Sequence, residues 1–307
     1  MNKNDKPLVI GELINNSYGR ARRAWQERDV DRYRQLAQLQ SELGAARLTF
    51  NLDGTRNLSV SLKEMLDFLP HVLPAIQEVT RVPLSFDSPD VAFHREAVRH
   101  YDRSRCDGRP ILNSLAASRH NITEMIEVAA ANDMDVIVMA SECFDSGGAH
   151  RAARTPVDIL GAARHFAELL RKSGFTNDRI IVDPGLCPIA SDTVGGVNLC
   201  LDAIRLIRAA EDLEGIHISV GLSNFSIGSP TEMRVPLERA VLRLALDAGL
   251  DFALANPEKN TLPLETDDPL VKSLAEVLKE GRTLEDEDPE DAGFRQLDAL
   301  MELWSED

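Results

Sequence analysis

The chain repeats one pattern eight times, in which a short apolar run ends in a polar residue. The clearest copy is the β-branched run 180–182, which leads directly into Asp183 and a Pro-Gly break. Such a run is typical of a buried parallel strand, which places the residue at its end on the edge of the sheet. An isolated Asp-Pro-Gly is equally well explained as a turn cap, but the recurrence favours residues that face a ligand. The other seven runs end at Asn15, Asn51, Asp87, Asn113, Ser141, Asn224 and Asn256.

Helix-like segments separate these runs, so strands and helices alternate from the start of the chain. Eight strand–helix units in 307 residues are more than an open sheet usually contains, and they are typical of a parallel (β/α)8 TIM barrel. We therefore predict an α/β barrel over residues 1–265. Residues 266–307 are predicted to hold the last barrel helix, an acidic linker and an extra C-terminal helix packed on the barrel. The first helical segment is predicted to run unbroken from Tyr18 to Gly44.

The net charge of −16 opposes binding to a polyanion, because phosphate contacts depend on clustered Lys and Arg. Nucleic acid is therefore not an expected partner. Part of that charge lies in the acidic block 285–291, which is read as a solvated linker, with partner docking as the alternative. The four cysteines have no paired spacing and no neighbouring His pair, so no disulfide framework and no metal on this chain are expected. They are Cys106, Cys143, Cys187 and Cys200.

Two further features bear on the location of the protein. No apolar run approaches the roughly 18 residues that a membrane span needs. The opening residues 1–7 lack the apolar core of a secretory signal. We therefore expect a cytoplasmic protein that makes no membrane contact.

Catalytic groups of such barrels lie where the strands finish, so the polar strand ends should converge on one mouth. Carboxylates that accept hydrogen bonds, together with amides that both donate and accept, suit a flat heterocycle edged with amino, imino and carbonyl groups, such as a pterin. The set lacks the Lys and Arg that a phosphorylated sugar requires and the His cluster of a metal hydrolase. The predicted site residues are Glu12, Asn15, Asn51, Asp87, Asn113, Asp183 and Asn224.

These strand ends also carry a resemblance to a known family. Over about residues 8–260 the chain resembles the methyltetrahydrofolate:corrinoid-protein methyltransferases, which are pterin-binding barrels related to dihydropteroate synthase. Each matching motif is short, but six of them occur in order and all lie at strand ends. They are Ile10–Asn15, Phe86–Ser88, Ile111–Ser114, Val182–Pro184, Gly221–Ser226 and Ala248–Asp251.

The resemblance implies roles for individual residues. Asp87, Asn113 and Asp183 would hold the pterin through its amino, imino and ring nitrogens, and Asn224 would lie near N5, the atom that carries the methyl group. Asn224 is therefore the predicted catalytic residue, because its amide oxygen could accept a hydrogen bond from protonated N5. The chain departs from the family at Thr49, in a strand where an acid is often found, and at Ile227, where relatives have a polar side chain.

The implied reaction moves a methyl group between N5 of (methyl)tetrahydrofolate and the cobalt of a corrinoid. The Asp-x-His-x-x-Gly signature of cobalamin binding is absent from this sequence, so the corrinoid is expected on a partner protein that binds transiently. A homodimer is predicted from the resemblance and from the apolar segment 241–249. The direction of transfer stays open, as does the choice between tetrahydrofolate and tetrahydromethanopterin.

Two other functions are weighed against this one. Dihydropteroate synthase shares the barrel and the Asp-Pro-Gly, but that family places a Lys soon after the glycine, where this chain has only apolar residues from Leu186 to Ala190. A non-catalytic folate-binding subunit of a methyl-transfer complex is the second alternative. Catalysis is favoured if Asn224 faces the ring edge, and binding alone if the loop 225–231 covers the mouth.

Overall fold

The computed structural model describes residues 6–305, apart from the side chain of Pro289. Eight parallel strands close into a barrel, in the order β1-β2-β3-β4-β5-β8-β9-β10, and a separate antiparallel hairpin, β6-β7, follows β5. The predicted TIM barrel is thereby confirmed. The strands are β1 Leu8–Gly11, β2 Arg47–Phe50, β3 Leu84–Asp87, β4 Ile111–Ala116, β5 Asp135–Met139, β6 Glu142–Phe144, β7 His150–Ala152, β8 Ile180–Asp183, β9 His217–Gly221 and β10 Phe252–Ala255.

Helices surround the barrel and connect successive strands. Each has an apolar face turned toward the strands, as amphipathic helices on a sheet require. The α-helices are α1 Gly19–Glu27, α2 Val30–Glu42, α3 Leu62–Val79, α4 Val91–Arg99, α5 Ile122–Ala131, α6 Pro156–Lys172, α7 Gly196–Ala209, α8 Thr231–Ala248, α9 Pro269–Glu280 and α10 Pro289–Ser305.

The strands separate two apolar cores, because successive side chains of a strand point to opposite faces. Residues such as Leu48, Phe86 and Val182 pack outward against the helices. A small separate cluster fills the barrel interior, and it consists of Ile10, Ile111, Ile137, Ile181 and Phe252. The interior is therefore a packed plug, and the next inward residue of each strand lies above it, at the carboxyl end.

The segment predicted as one helix from Tyr18 to Gly44 is two helices, so that prediction is wrong. Arg28 adopts a left-handed conformation with φ of 51° and ends α1. The Asp29 side chain then accepts a hydrogen bond from the Arg32 backbone N–H and begins α2. The chain therefore places the short helix α1 between β1 and the helix that leads into β2.

The last two helices lie against each other and against the loop after β8. In α10, Gln296 Nε2 donates to the backbone oxygen of Asp192 at 3.1 Å, and the Asp192 carboxylate in turn accepts from the backbone N–H groups of Gly196 and Val197 at the start of α7. This C-terminal segment therefore braces the chain that follows Asp183.

The apolar part of α8 is buried within the chain itself. Val241, Leu242 and Ala245 are almost completely inaccessible, and Leu244 and Leu246 pack against the same core. The sequence pattern that prompted the homodimer prediction is therefore accounted for by packing inside one chain. Across the described residues, every helix is too short or too polar to traverse a bilayer.

Candidate functional site

One layer of polar side chains lies at the carboxyl end of the barrel, directly above the apolar plug. Strand alternation produces it, since these residues lie two positions beyond inward-facing ones such as Ile10, Ile111 and Ile181. The residues of this strand-end layer are Glu12, Asn51, Asp87, Asn113 and Asp183. Thr49, where the family often has an acid, is fully buried one layer lower, beneath Asn51.

Asp87 and its neighbours form one side of this layer. Asp87 is in register with Asn113 on the adjacent strand, and the Asn51 amide, which donates to the Asp53 carboxylate at 3.4 Å, is close to the Asp87 carboxyl group. Asn113 is only 8% exposed. Burial raises the pKa of Asp87 to about 6, an effect that the nearby Asn51 amide opposes and the Asp53 carboxylate reinforces. The two strands therefore present a desolvated carboxyl group and an amide side by side.

Asp183 lies on the opposite part of the layer, where β8 ends. Its Oδ1 accepts a hydrogen bond from the backbone N–H of Gly185 at 2.8 Å. Gly185 has φ of +82°, and a Cβ there would approach the Ser141 side chain within 2.7 Å, so the turn requires glycine. Burial raises the pKa of Asp183 to about 6. One oxygen thus holds the turn, while the carboxyl group still lacks a cationic partner within the described chain.

Glu12 is the most buried acid of the layer, at 6% exposure. Its Oε1 accepts a hydrogen bond from Ser223 Oγ at 2.5 Å, and the Tyr18 hydroxyl lies close by. Burial raises the pKa of Glu12 to about 7, against the effect of both hydroxyl groups. Glu12 therefore exchanges its proton near neutral pH.

Asn15 has a local role in the structure. Its Oδ1 accepts a hydrogen bond from the backbone N–H of Ser17 at 2.8 Å, which closes an Asx turn before α1. It also forms an isolated parallel bridge with Asn51. The Asn15 side-chain oxygen is thus engaged by the turn itself, at the rim of the strand-end layer.

Asn224 ends a short 3-10 turn, Leu222–Asn224, directly after β9. Its side chain lies over the end of the strand, since a Cβ on Gly221 would come within 2.8 Å of Asn224 Nδ2. Asn224 is exposed, and within residues 6–305 its amide makes no side-chain hydrogen bond. The amide is therefore accessible at the mouth and free to pair with a ligand.

The loop after Asn224 leaves the mouth open. Phe225 and Ser226 turn inward, and Ser226 Oγ donates to the buried carboxylate of Glu238 on α8. Ile227 is 56% exposed. Since Asn224 stays exposed, this loop does not cover its side chain.

Comparison with known proteins decides the family. Residues 11–256, well over half of the chain, match the family described as pterin binding enzyme. This chain belongs to the pterin-binding enzyme family. The expected relationship to methyltransferases and dihydropteroate synthases is likewise confirmed by the relatives described next.

The relatives of this pterin-binding enzyme include proteins of two kinds. It is 25% identical over 251 residues to the methylcorrinoid:tetrahydrofolate methyltransferase of Eubacterium limosum, covering 81% of this chain and 85% of that protein. It is 24% identical over 273 residues to the methionine synthase of Mycobacterium leprae, covering 84% of this chain but only 21% of that larger protein.

Solved structures confirm the barrel. The dihydropteroate synthase of Yersinia pestis with a pterine-sulfa conjugate superposes with a TM-score of 0.59 at 21% identity, over 81% of this chain and 88% of that one. The 7,8-dihydropteroate synthase of Vibrio fischeri gives a TM-score of 0.60 at 16% identity, over 99% and 95% of the two chains. At these identities the likeness establishes the fold.

The sequence analysis missed one charged residue of the pterin-binding enzyme's mouth. Arg119, in the loop after β4, exerts an electrostatic effect on Asp53 and on Asp87, and it lowers the pKa of both carboxyl groups against the larger effect of burial. Its Nε is buried and has no hydrogen-bond partner among the described residues. Only its position in a strand-end loop marks it in the sequence, since it stands six residues beyond Asn113.

The His, Cys, Asp and Glu side chains of the pterin-binding enzyme form no cluster of three or more suited to a metal ion within the described residues. His150, which lies in the loop after β5, is exposed on the β6-β7 hairpin, where it pairs in register with Phe144. Phe144 packs against His165 and Phe166 of α6. The β6-β7 hairpin thus packs against the outer helix α6.

Proposed function

We propose that this protein is a methyltransferase that moves a methyl group between N5 of (methyl)tetrahydrofolate and the cobalt of a corrinoid carried by a partner protein. The observation that carries the proposal is the exposed, unpartnered amide of Asn224 beside a layer of buried acids. The strand-end layer suits the pterin ring, and Asn224 suits the reacting nitrogen. The name of the Eubacterium limosum relative supports the same chemistry.

The pterin ring would meet its hydrogen-bond partners in Asp87, Asn113 and Asp183. The amino group and neighbouring N–H of a pterin present two donors side by side, which a carboxylate accepts as a pair. Burial has raised the pKa of both Asp87 and Asp183 to about 6, so each is mostly ionised at neutral pH yet poorly solvated. Water therefore solvates these two carboxylates poorly. The hydrogen-bond donors of the pterin ring would supply the contacts that water does not.

Asn224 would act on N5. A tertiary amine is a poor leaving group, so methyl transfer requires N5 to gain positive character in the transition state. The amide oxygen of Asn224 can accept a hydrogen bond from protonated N5, and it interacts more strongly with that charged form than with the neutral amine. Its lack of a partner in the described chain leaves it free for this role.

The corrinoid would approach from outside, because the mouth is open above Asn224. Ile227, exposed beside Asn224, offers an apolar contact to the macrocycle in place of a polar side chain. The same site serves transfer in either direction, since the forward and reverse reactions share one transition state.

The deciding experiment mixes the purified protein with methyltetrahydrofolate and free Co(I) cobalamin and follows the cobalt spectrum in single turnovers. Asn224→Ala should lower the saturated rate on the order of a hundredfold while changing the folate dissociation constant much less. Asn132→Ala serves as a matched control, since Asn132 precedes β5 at the other end of the barrel. An Asn224→Ala protein with an unchanged saturated rate would rule out the catalytic role.

The same preparation tests the two alternatives. A dihydropteroate synthase-like enzyme would condense p-aminobenzoate with an activated pterin, which we expect to be undetectable because residues 186–190 after the Asp-Pro-Gly lack the lysine of that family. A binding-only subunit would show tight folate binding with no cobalt signal in the wild-type protein.

A further inference from the structure

The contact between Glu12 and Ser223 joins the first strand to the residue that precedes Asn224. Ser223 Oγ lies 2.5 Å from Glu12 Oε1, across 211 positions of sequence. Ser223 is half-buried, whereas its neighbour Asn224 is exposed. The hydroxyl of Ser223 therefore contacts a buried carboxyl group, in the residue next to the exposed Asn224.

Burial and a nearby carboxylate favour the protonated form of Glu12, whereas the hydroxyl groups of Ser223 and Tyr18 oppose it. The Tyr18 hydroxyl is one neighbour, and burial raises its pKa so far that it stays neutral. The carboxylate of Glu238 on α8 adds a second negative charge nearby. No cation of the described chain forms an ion pair with Glu12. Burial accordingly raises its pKa to about 7, so it can hold or release a proton near neutral pH.

We propose that Glu12 and Ser223 form the proton relay for N5 of the folate, with Glu12 as the proton store and Ser223 as the connecting hydroxyl. This deepens the proposed function and rests on it. It also gives Glu12 a role different from the ring contact expected from the sequence, because its carboxyl group is directed to Ser223.

Protons and electrons balance in both directions of the relayed reaction. With Glu12 protonated, its O–H donates to Ser223 Oγ, and the Ser223 O–H is free to donate toward N5. As N5 takes that proton, Ser223 receives one from Glu12, which is left as a carboxylate. The electron pair of Co(I) forms the bond to the methyl carbon, the N5–C bond breaks, and its electron pair stays on N5, which keeps the transferred proton as N–H. In reverse, the Glu12 carboxylate accepts that proton.

The test measures the single-turnover rate of methyl transfer to free Co(I) cobalamin at saturating methyltetrahydrofolate, from pH 5.5 to 8.5. The wild-type rate should be level below about pH 7 and fall above it, because only protonated Glu12 can donate. Glu12→Gln should lower the level region on the order of a hundredfold. It should also abolish the plateau. Without Glu12, N5 would be protonated directly from solvent, and the rate would then keep rising as the pH falls.

Variants of Ser223 give an independent measurement if Glu12→Gln does not fold. Ser223→Ala removes the connecting hydroxyl and should reproduce the loss of rate and of the plateau, whereas Ser223→Thr keeps a hydroxyl and should retain both. The double variant Glu12→Gln/Ser223→Ala should be no slower than either single variant, since both interrupt one path. Calorimetry with methyltetrahydrofolate should give similar dissociation constants for all of them.

Two results would overturn the relay. Either Glu12→Gln or Ser223→Ala with the wild-type plateau and midpoint would show that the contact is only structural. A wild-type protein that binds methyltetrahydrofolate but transfers no methyl would overturn the proposed function, and the relay with it. The two failures are thus separated by the activity of the wild-type protein.

Discussion

The buried acids at the two ends of the barrel have different partners. At the amino end, Asp135 lies 3.7 to 3.9 Å from Arg47, Arg109 and Arg179, and Arg109 and Arg179 also pair with Asp133. At the carboxyl end, the Glu12, Asp87 and Asp183 carboxyl groups form no ion pair within the described residues. There the side chains and backbone supply only neutral hydrogen-bond donors, and Arg119 acts on Asp87 from a distance.

This difference distinguishes the amino end, whose ion pairs contribute to the stability of the fold, from the carboxyl end, which is suited to binding a ligand. Burial raises the pKa of Asp135 to about 6 as it does for Asp87 and Asp183, but at the amino end three arginines oppose that effect. The amino end therefore supplies its own counter-charges to the buried acid. At the carboxyl end the acids are desolvated in the same way but have no paired cation within the described residues. A ligand can supply the missing partners there, which is the usual condition of a binding site.

The largest effect is expected at the amino end, from Arg179→Met. Arg179 donates to the backbone oxygen of Met134 at 2.6 Å, pairs with Asp133 and lies over the Phe175 ring. Its loss should lower the free energy of unfolding by about 3 kcal/mol, because Asp133, Asp135 and the Met134 carbonyl all lose a largely buried cation. Urea denaturation measures this, and folate affinity should not change.

Arg164→Met is the matched control for that prediction. Arg164 pairs with Asp212 at 2.8 Å, but both side chains are solvent-exposed, so a much smaller loss of stability is expected. Equal losses from the two variants would contradict a special role for the amino-end network.

The next effect is expected at the mouth, from Asp87→Asn and Asp183→Asn. Each should weaken methyltetrahydrofolate binding by about ten- to a hundredfold, or roughly 1.5 to 3 kcal/mol, through loss of a charged acceptor. Asparagine keeps an oxygen for the Gly185 N–H, so the turn after β8 should survive. Calorimetry that finds wild-type affinity in Asp183→Asn would show that this residue only caps the turn.

The architecture could be predicted from the sequence because its signal is local and repeated. Runs such as 180–182 mark buried strands by composition alone, and the polar residue after each run marks the carboxyl end. The positions of Asp87, Asn113 and Asp183 at one mouth then follow from the geometry of any parallel barrel. Their contact with a pterin stays a prediction.

Other features could not be predicted in this way, because their local signal is weak or because they depend on contacts between distant segments. The break between α1 and α2 depends on Asp29 as a cap, and one Asp among many charged residues is a weak signal. Arg119 reaches the mouth through the path of its loop, which composition does not specify. The hydrogen bond from Ser223 to Glu12 joins residues 211 positions apart and forms only in the closed barrel.

The smallest effect is on the pH dependence of stability, and it sharpens the contrast between the two ends. The folded-state pKa of Asp183 is about 6, above the ordinary value of 3.8, so the folded protein binds the proton more tightly than the unfolded chain does. That contribution to stability is complete below about pH 4 and is lost as the pH rises through 6. Asp183→Asn cannot lose it, so at pH 7.5 the variant should be more stable than the wild type by about 1 to 2 kcal/mol, given that water reaches the open mouth. At pH 4 the two proteins should have nearly equal free energies of unfolding, which controls for the general effect of net charge. A difference that does not change between pH 4 and pH 7.5 would mean that the ionised form of Asp183 is satisfied within the protein.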